Sequence, residues 1–121
     1  MRVANPVGKK GEDEACIFLE KKGYKVIERN FRGKNGEIDI IALEQNVLVF
    51  IEVKTRTSSQ FGTPFEAITH WKLEALIRTA QFYKAFHQNV PNQMRIDAIA
   101  VVLDSIDEVE SIEHRENISG F

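Results

Sequence analysis

A chain of 121 residues, 28% charged and 43% hydrophobic with a formal charge of −2, is expected to form one compact domain over residues 1–121. Eight phenylalanines exclude wholesale disorder, and the lone Cys16 excludes an internal disulfide framework and suits a reducing cytoplasm. No apolar run approaches the roughly 18 residues of a membrane span, and residues 1–6 lack the apolar core of a signal peptide, so a cytoplasmic location with no membrane partner is expected.

The net charge is unevenly placed. Residues 1–103 hold 15 Lys/Arg against 12 Asp/Glu, whereas residues 104–121 hold one Arg against six acids. A histone-like polycation is excluded, but a domain with one basic face is not.

Residues 8–22 read as a helix. Ala15, Cys16 and Leu19 form its apolar stripe, Lys21 and Lys22 suit the negative end of its dipole, and Gly23 stops it. Glu12 lies three, four and seven positions before those residues and falls on the same stripe. Residues 24–31 follow as a strand, and 32–36 (Arg-Gly-Lys-Asn-Gly) are turn material. Residues 37–43 and 47–56 are two strands joined tightly through Glu44-Gln45-Asn46, with the near-continuous apolar content of strands covered on both faces. After a loop at 58–62, Thr63-Pro64-Phe65-Glu66 offers a capping-box helix start and Thr69 a second one. The helix runs to about Phe86 on Leu73, Leu76, Ile77, Ala80 and Tyr83. Residues 94–103 form another apolar strand, and 109–114 a weaker edge strand. The order α-β-β-β-α-β-β predicts an α/β fold, a mixed sheet with helices on both sides.

Three acids interrupt those strands: Asp39 between Ile38 and Ile40, Glu52 between Ile51 and Val53, and Asp97 between Ile96 and Ala98. An unpaired carboxylate in such surroundings costs several kcal/mol, so each needs a cation, a metal or a strand end open to water. A two-residue Gln45-Asn46 loop would pair Glu44 with Val47. It would then set Asp39 opposite Glu52 and Glu37 opposite Lys54, all on one face. Gln-Asn is not a preferred hairpin turn, so the convergence of the acids carries more weight than the register. Two carboxylates beside a lysine suit a hard cation such as Mg²⁺, which takes as few as one or two protein carboxylates. Such an ion lowers the pKa of a bound water and offsets charge on a phosphate under in-line attack. Lys54 would hold that phosphate or position the water. Glu12 would add a third carboxylate if the first helix packs over the hairpin. The same residues also read as a buried ion-pair cluster, Glu12 as a solvated or capping residue, and Asp97 as a partner of Arg95 on its own face.

Other chemistry is weakly represented. His70, His87 and His114 have no Cys or His at zinc-ligand spacing. Cys16 reads as core rather than nucleophile, Ser58 and Ser59 lack a G-x-S-x-G context, and neither common glycine-rich phosphate loop occurs. Trp71, Phe82 and Phe86 read as packing residues rather than base-stacking platforms.

The elements Gly8-x-x-Gly11-Glu12-x-x-Ala15-x-x-Phe18-Leu19, Gly23-Tyr24, Asn30-Phe31, Gly36-Glu37-Ile38-Asp39-Ile40-Ile41-Ala42, Phe50-Ile51-Glu52-Val53-Lys54-Thr55-Arg56, Phe61-Gly62, Lys72 and Arg95-Ile96-Asp97 resemble the bacterial YraN family across nearly the whole chain. That family is similar to the PD-(D/E)XK nuclease superfamily, particularly archaeal Holliday-junction resolvases. The resemblance implies a restriction-endonuclease-like αβββαβ core and a Mg²⁺- or Mn²⁺-dependent endonuclease acting on structured or branched DNA. It matches Asp39 to the motif aspartate, Glu52 and Lys54 to the E-x-K, and Glu12 to the acid of the first helix; Ile38 stands where the motif has proline, a variable position. Asp39, Glu52 and Glu12 would then hold the metal. Lys9, Lys10, Arg32, Lys34, Arg56 and Lys72 are candidate phosphate contacts. A homodimer would follow by analogy with the resolvases. The rival reading is a non-catalytic adaptor for nucleic acid or protein, its carboxylates kept as a structural ion network.

Overall fold

The computed structural model describes residues 5–58 and 62–120. In chain order it has α1 (Pro6–Lys21), β1 (Lys25–Gly33), β2 (Gly36–Glu44), β3 (Val47–Thr57), a short 3₁₀ turn (Pro64–Ala67), α2 (His70–Phe86), β4 (Met94–Leu103) and β5 (Val109–Arg115). Ser59, Phe61 and most of the loop expected at 58–62 lie outside the described residues.

Helix α1 begins slightly earlier than expected because Asn5 caps it. The Asn5 side-chain oxygen accepts from the amides of Val7 (3.1 Å) and Gly8 (3.4 Å), and Pro6 takes the first helical position. Gly23, at φ 94°, supplies the left-handed stop. Of the two candidate starts for the second helix, Thr69 wins: its hydroxyl accepts the Lys72 amide at 3.2 Å and opens α2. Thr63 accepts the Phe65 amide at 3.2 Å and caps only the 3₁₀ turn. Among the described residues, no helix is long and apolar enough to cross a membrane.

The five strands lie in the order β1-β2-β3-β4-β5, all neighbours antiparallel except the parallel pair β3–β4. From α1, Ala15, Cys16 and Leu19 pack on Ile40, Ala42, Val49, Ile51, Ile99 and Val101. On the other face, Leu76, Ala80 and Tyr83 of α2 pack on Ile38, Ile41, Leu48, Phe50 and Ile96. The continuous apolar runs of β3 and β4 therefore serve two cores at once. Alternation sends Leu48 and Phe50 toward α2 and Val49 and Ile51 toward α1, so Glu52 emerges on the α2 face.

The β2–β3 ladder has the expected register, from Glu44 opposite Val47 to Ile40 opposite Ile51, with Gln45 of the two-residue loop in the left-handed region at φ 52°. There the two strands part. β2 stays with β1, pairing Ile38 with Phe31 and Glu37 with Arg32. The Asp39 carboxylate instead accepts the Val53 amide at 2.8 Å, a backbone group that would otherwise continue the ladder. The ladder therefore reaches neither of the expected pairs, Asp39 with Glu52 or Glu37 with Lys54, and Glu37 lies 3.6 Å from Arg32 on β1. The first turn is also shorter than expected, because Arg32, Gly33 and Gly36 belong to strands. Ile40 belongs to the α1 core and Ile38 to the α2 core, so alternation breaks at Asp39 itself.

Candidate metal centre

The fork between β2 and β3 sets Asp39 beside Glu52. Glu52 is almost fully buried, and both Lys54 Nζ (3.2 Å) and Lys72 Nζ (3.3 Å) reach its Oε2. The half-buried Asp39 accepts the Val53 amide. Burial, then the charge of Glu52 and hydrogen bonding to it, push the Asp39 carboxyl up to about 8; the Val53 amide acts in the opposite sense and Glu12 adds to the rise. A hard cation between the two carboxylates would relieve the same repulsion, and an all-oxygen donor pair fits Mg²⁺ or Mn²⁺.

Among the described residues, no three His, Cys, Asp or Glu side chains are grouped so as to hold a metal ion. Glu12, expected as the third carboxylate, faces Arg29: its Oε1 is 3.7 Å from Arg29 Nη2, and Arg29 is also held by Asp13 at 2.9 Å. It is near enough to raise the Asp39 carboxyl. What places it there is Gly11. A β-carbon on Gly11 would run into the Thr55 hydroxyl and lie 2.8 Å from Thr55 Cβ, so α1 seats directly on β3. Gly11→Ala is expected to cost about 3 kcal/mol by overpacking, read from the urea midpoint, with Thr55→Ala recovering part of the loss in the double variant. Unchanged stability of Gly11→Ala would contradict this seating.

Of the candidate phosphate contacts, Lys72 joins the carboxylates. Lys9 and Lys10 pair with Asp13 (3.3 Å) and Glu14 (3.4 Å) one turn along α1, and Arg32 pairs with Glu37. Lys34 is exposed at the β1–β2 turn, and Arg56 lies beside Gly62. Cys16 is buried in the α1 core, as expected. The packing assignment is overturned for Trp71, which is 77% exposed; Phe82 (41% exposed) packs against Phe31, and Phe86 (71% exposed) touches Phe82 outside the core. The core uses Leu76, Ala80 and Tyr83 on another side of α2 and leaves the aromatic stripe outward.

Asp97 belongs to a separate polar cluster. Fully buried, it accepts from Arg95 Nε (3.0 Å), the Asn117 amide (2.9 Å) and His114 Nε2 (2.8 Å). Arg95 Nη2 also donates to Tyr24 (2.6 Å) and Glu44 (3.1 Å), and Lys22 Nζ lies 2.8 Å from His114 Nδ1. Burial alone would raise the Asp97 carboxyl; the bonds from His114, Asn117 and Arg95 outweigh it and hold the group below the ordinary carboxylate range. The Arg95–Asp97 pairing was open in the sequence, but the part played by His114, on a neighbouring strand, was not foreseen.

Residues 11–101 match the family model described as "Uncharacterised protein family UPF0102". That span contains Glu12, Asp39, Glu52, Lys54, Lys72 and Asp97. A UPF0102 protein of Caldanaerobacter subterraneus subsp. tengcongensis is 49% identical over 98 residues, covering 81% of this chain and 80% of the relative. One of Caldicellulosiruptor saccharolyticus is 46% identical over 112 residues, covering 92% and 94%. One of Clostridium botulinum (strain Hall) is 44% identical over 114 residues, covering 92% and 91%. The chain therefore belongs to the UPF0102 family, the YraN family whose motifs it carries.

Proposed function

We propose that the chain is a Mg²⁺- or Mn²⁺-dependent endonuclease of the PD-(D/E)XK type that hydrolyses phosphodiester bonds in structured or branched DNA. One observation carries this reading: at the fork of two strands Asp39 accepts the Val53 amide next to Glu52 and feels its charge, with Lys54 and Lys72 on Glu52. The element order, α-β-β-β-α-β followed by an edge strand, is in keeping with a restriction-endonuclease-like core. Asp39 and Glu52 would hold the ion, with Glu12 as an outer carboxylate. When bound, the ion supplies Lewis-acid stabilisation of a phosphate oxygen and an activated water. Glu52 is flanked in β3 by the buried Ile51 and Val53. Lys54 and Lys72, both compact point charges, would trade one carboxylate oxygen for oxygens of the scissile phosphate and stabilise charge developing there.

Purified protein with Mn²⁺ is expected to cut flap or four-way DNA, with activity abolished by EDTA and reduced at least about a hundredfold in Asp39→Ala. Failure to cut single-stranded, duplex, flap and four-way substrates alike would defeat the reading, and full activity in Asp39→Ala would defeat the site. The pairing of Glu52 with two lysines also favours a second reading, a non-catalytic adaptor with a self-satisfied ion network. Calorimetry separates the two: the adaptor binds no Mg²⁺ or Mn²⁺ at millimolar concentration.

A further inference from the structure

The outward side of α2 carries Trp71, Arg78, Phe82 and Phe86, whose spacing projects them from one stripe. The stripe is anchored at its far end, where Phe82 lies against Phe86 (ring centroids 4.9 Å apart) and Phe31 (6.3 Å). At the near end Trp71 meets His70 edge-on at 5.8 Å and leaves most of its indole in water. Leaving so large an apolar ring exposed forgoes the burial that an aromatic side chain ordinarily contributes.

Its position suggests what the ring is for. Trp71 immediately precedes Lys72, whose ammonium is 3.3 Å from Glu52, so the indole stands one residue from a side chain of the candidate metal centre. Cations are interleaved with the rings: Lys72 and Arg78 on the helix, and Lys34 at the β1–β2 turn, which α2 approaches where Thr79 meets Gly33. The acid on this side of the helix, Glu74, is held by His70 at 3.0 Å. Aromatic faces among cations are the recognition chemistry of single-stranded nucleic acid, bases stacking on rings while phosphates meet the charges. A continuous duplex keeps its base faces stacked inside and offers none to an indole. A second copy of the chain fits less well, since a two-fold contact through this stripe would bring Arg78 toward its own counterpart.

We propose that Trp71 is a stacking platform for an unpaired base next to the phosphate bound at Asp39 and Glu52. The substrate then carries a single-stranded segment, as at a flap, fork or loop, rather than continuous duplex. This inference rests on the nuclease reading, and the two can fail separately.

Trp71 is the chain's one tryptophan, so its fluorescence reports the contact directly. With Ca²⁺ in place of Mn²⁺, a short oligothymidylate is expected to quench the intrinsic fluorescence, while a blunt duplex hairpin leaves it unchanged. By fluorescence anisotropy, Trp71→Ala should bind labelled oligothymidylate about tenfold more weakly, with Trp71→Phe restoring most of the affinity. Circular dichroism and melting should be preserved, because the side chain is largely exposed. Absence of quenching, or equal oligothymidylate affinity in Trp71→Ala, overturns the inference and leaves the nuclease reading standing if Mn²⁺-dependent cleavage persists. A Trp71→Ala variant that dissociates a dimer in sedimentation without changing oligonucleotide affinity also overturns it. If the wild-type protein cuts no DNA and binds no oligonucleotide, both readings fall.

Discussion

Asp97→Ala is expected to destabilise the protein by about 3–5 kcal/mol, the usual cost of removing one partner from a buried ion pair. The change strips acceptors from Arg95 Nε, His114 Nε2 and the Asn117 amide at once. Arg95 would keep Glu44 at 3.1 Å and the more distant Glu116 at 3.7 Å, so the penalty is shared rather than total. Asp97→Asn preserves shape and one acceptor oxygen but sets an amide against donors, and should cost less. The pH dependence has a definite direction. Asp97 titrates below its ordinary value of 3.8 in the folded protein, so its stabilisation is complete above that value and is lost as pH falls through the lower folded one. Wild-type stability should therefore drop more steeply than that of Asp97→Asn below about pH 4. Urea midpoints measured from neutral to strongly acidic pH test both statements. Equal midpoints for wild type and Asp97→Ala at neutral pH would mean that the cluster contributes nothing.

The sequence made the centre of this fold legible and its departures from regularity obscure, for physical reasons that differ from residue to residue. β3 and β4 announced themselves because burial on both faces demands unbroken apolar runs, and the length of the Gln45-Asn46 loop then set the register as far as Ile40 and Ile51. Beyond that pair, a carboxylate competing for the Val53 amide redirects β2, an event that backbone pairing rules do not contain. Asp39, Glu52 and Lys54 were legible as charges out of place. Lys72 was visible only as a cation, because its approach to Glu52 depends on how α2 is rotated. Trp71 was misread for a different reason: the stripe read as core, Leu76, Ala80 and Tyr83, does face the sheet, and a second apolar stripe on another side of α2 was assigned to packing as well. His114 was passed over because its partner is an aspartate on an adjoining strand, reached through sheet pairing rather than through local spacing.

Asp39→Asn should have the opposite stability effect to Asp97→Ala in the absence of metal. The folded Asp39 carboxyl titrates near 8 against an ordinary 3.8, chiefly through burial and then through Glu52. A group raised in this way contributes its stability in full below about pH 4 and loses it as pH climbs toward 8. In EDTA the wild-type protein should therefore weaken across that window. Asparagine cannot ionise, so Asp39→Asn should not show this loss, and near pH 8 it should be more stable than wild type by about 1–2 kcal/mol. That gain is well short of the full shift, because water reaches the half-buried side chain. Mn²⁺ should reverse the ranking. An ion that binds only the folded form at a hundred times its Kd adds about 2.7 kcal/mol, and Asp39→Asn would forfeit most of it. Since the ion displaces the Asp39 proton, the wild-type response should also be larger at pH 8 than at pH 6. Thermal melts of both proteins, with EDTA and with Mn²⁺ at each pH, decide the matter. Equal Mn²⁺ shifts would remove Asp39 from the proposed metal centre. No shift in either protein would turn the Asp39–Glu52 pair into the closed ionic network of the adaptor reading, because carboxylates held together at a cost to stability are then balanced by Lys54 and Lys72 rather than by an ion.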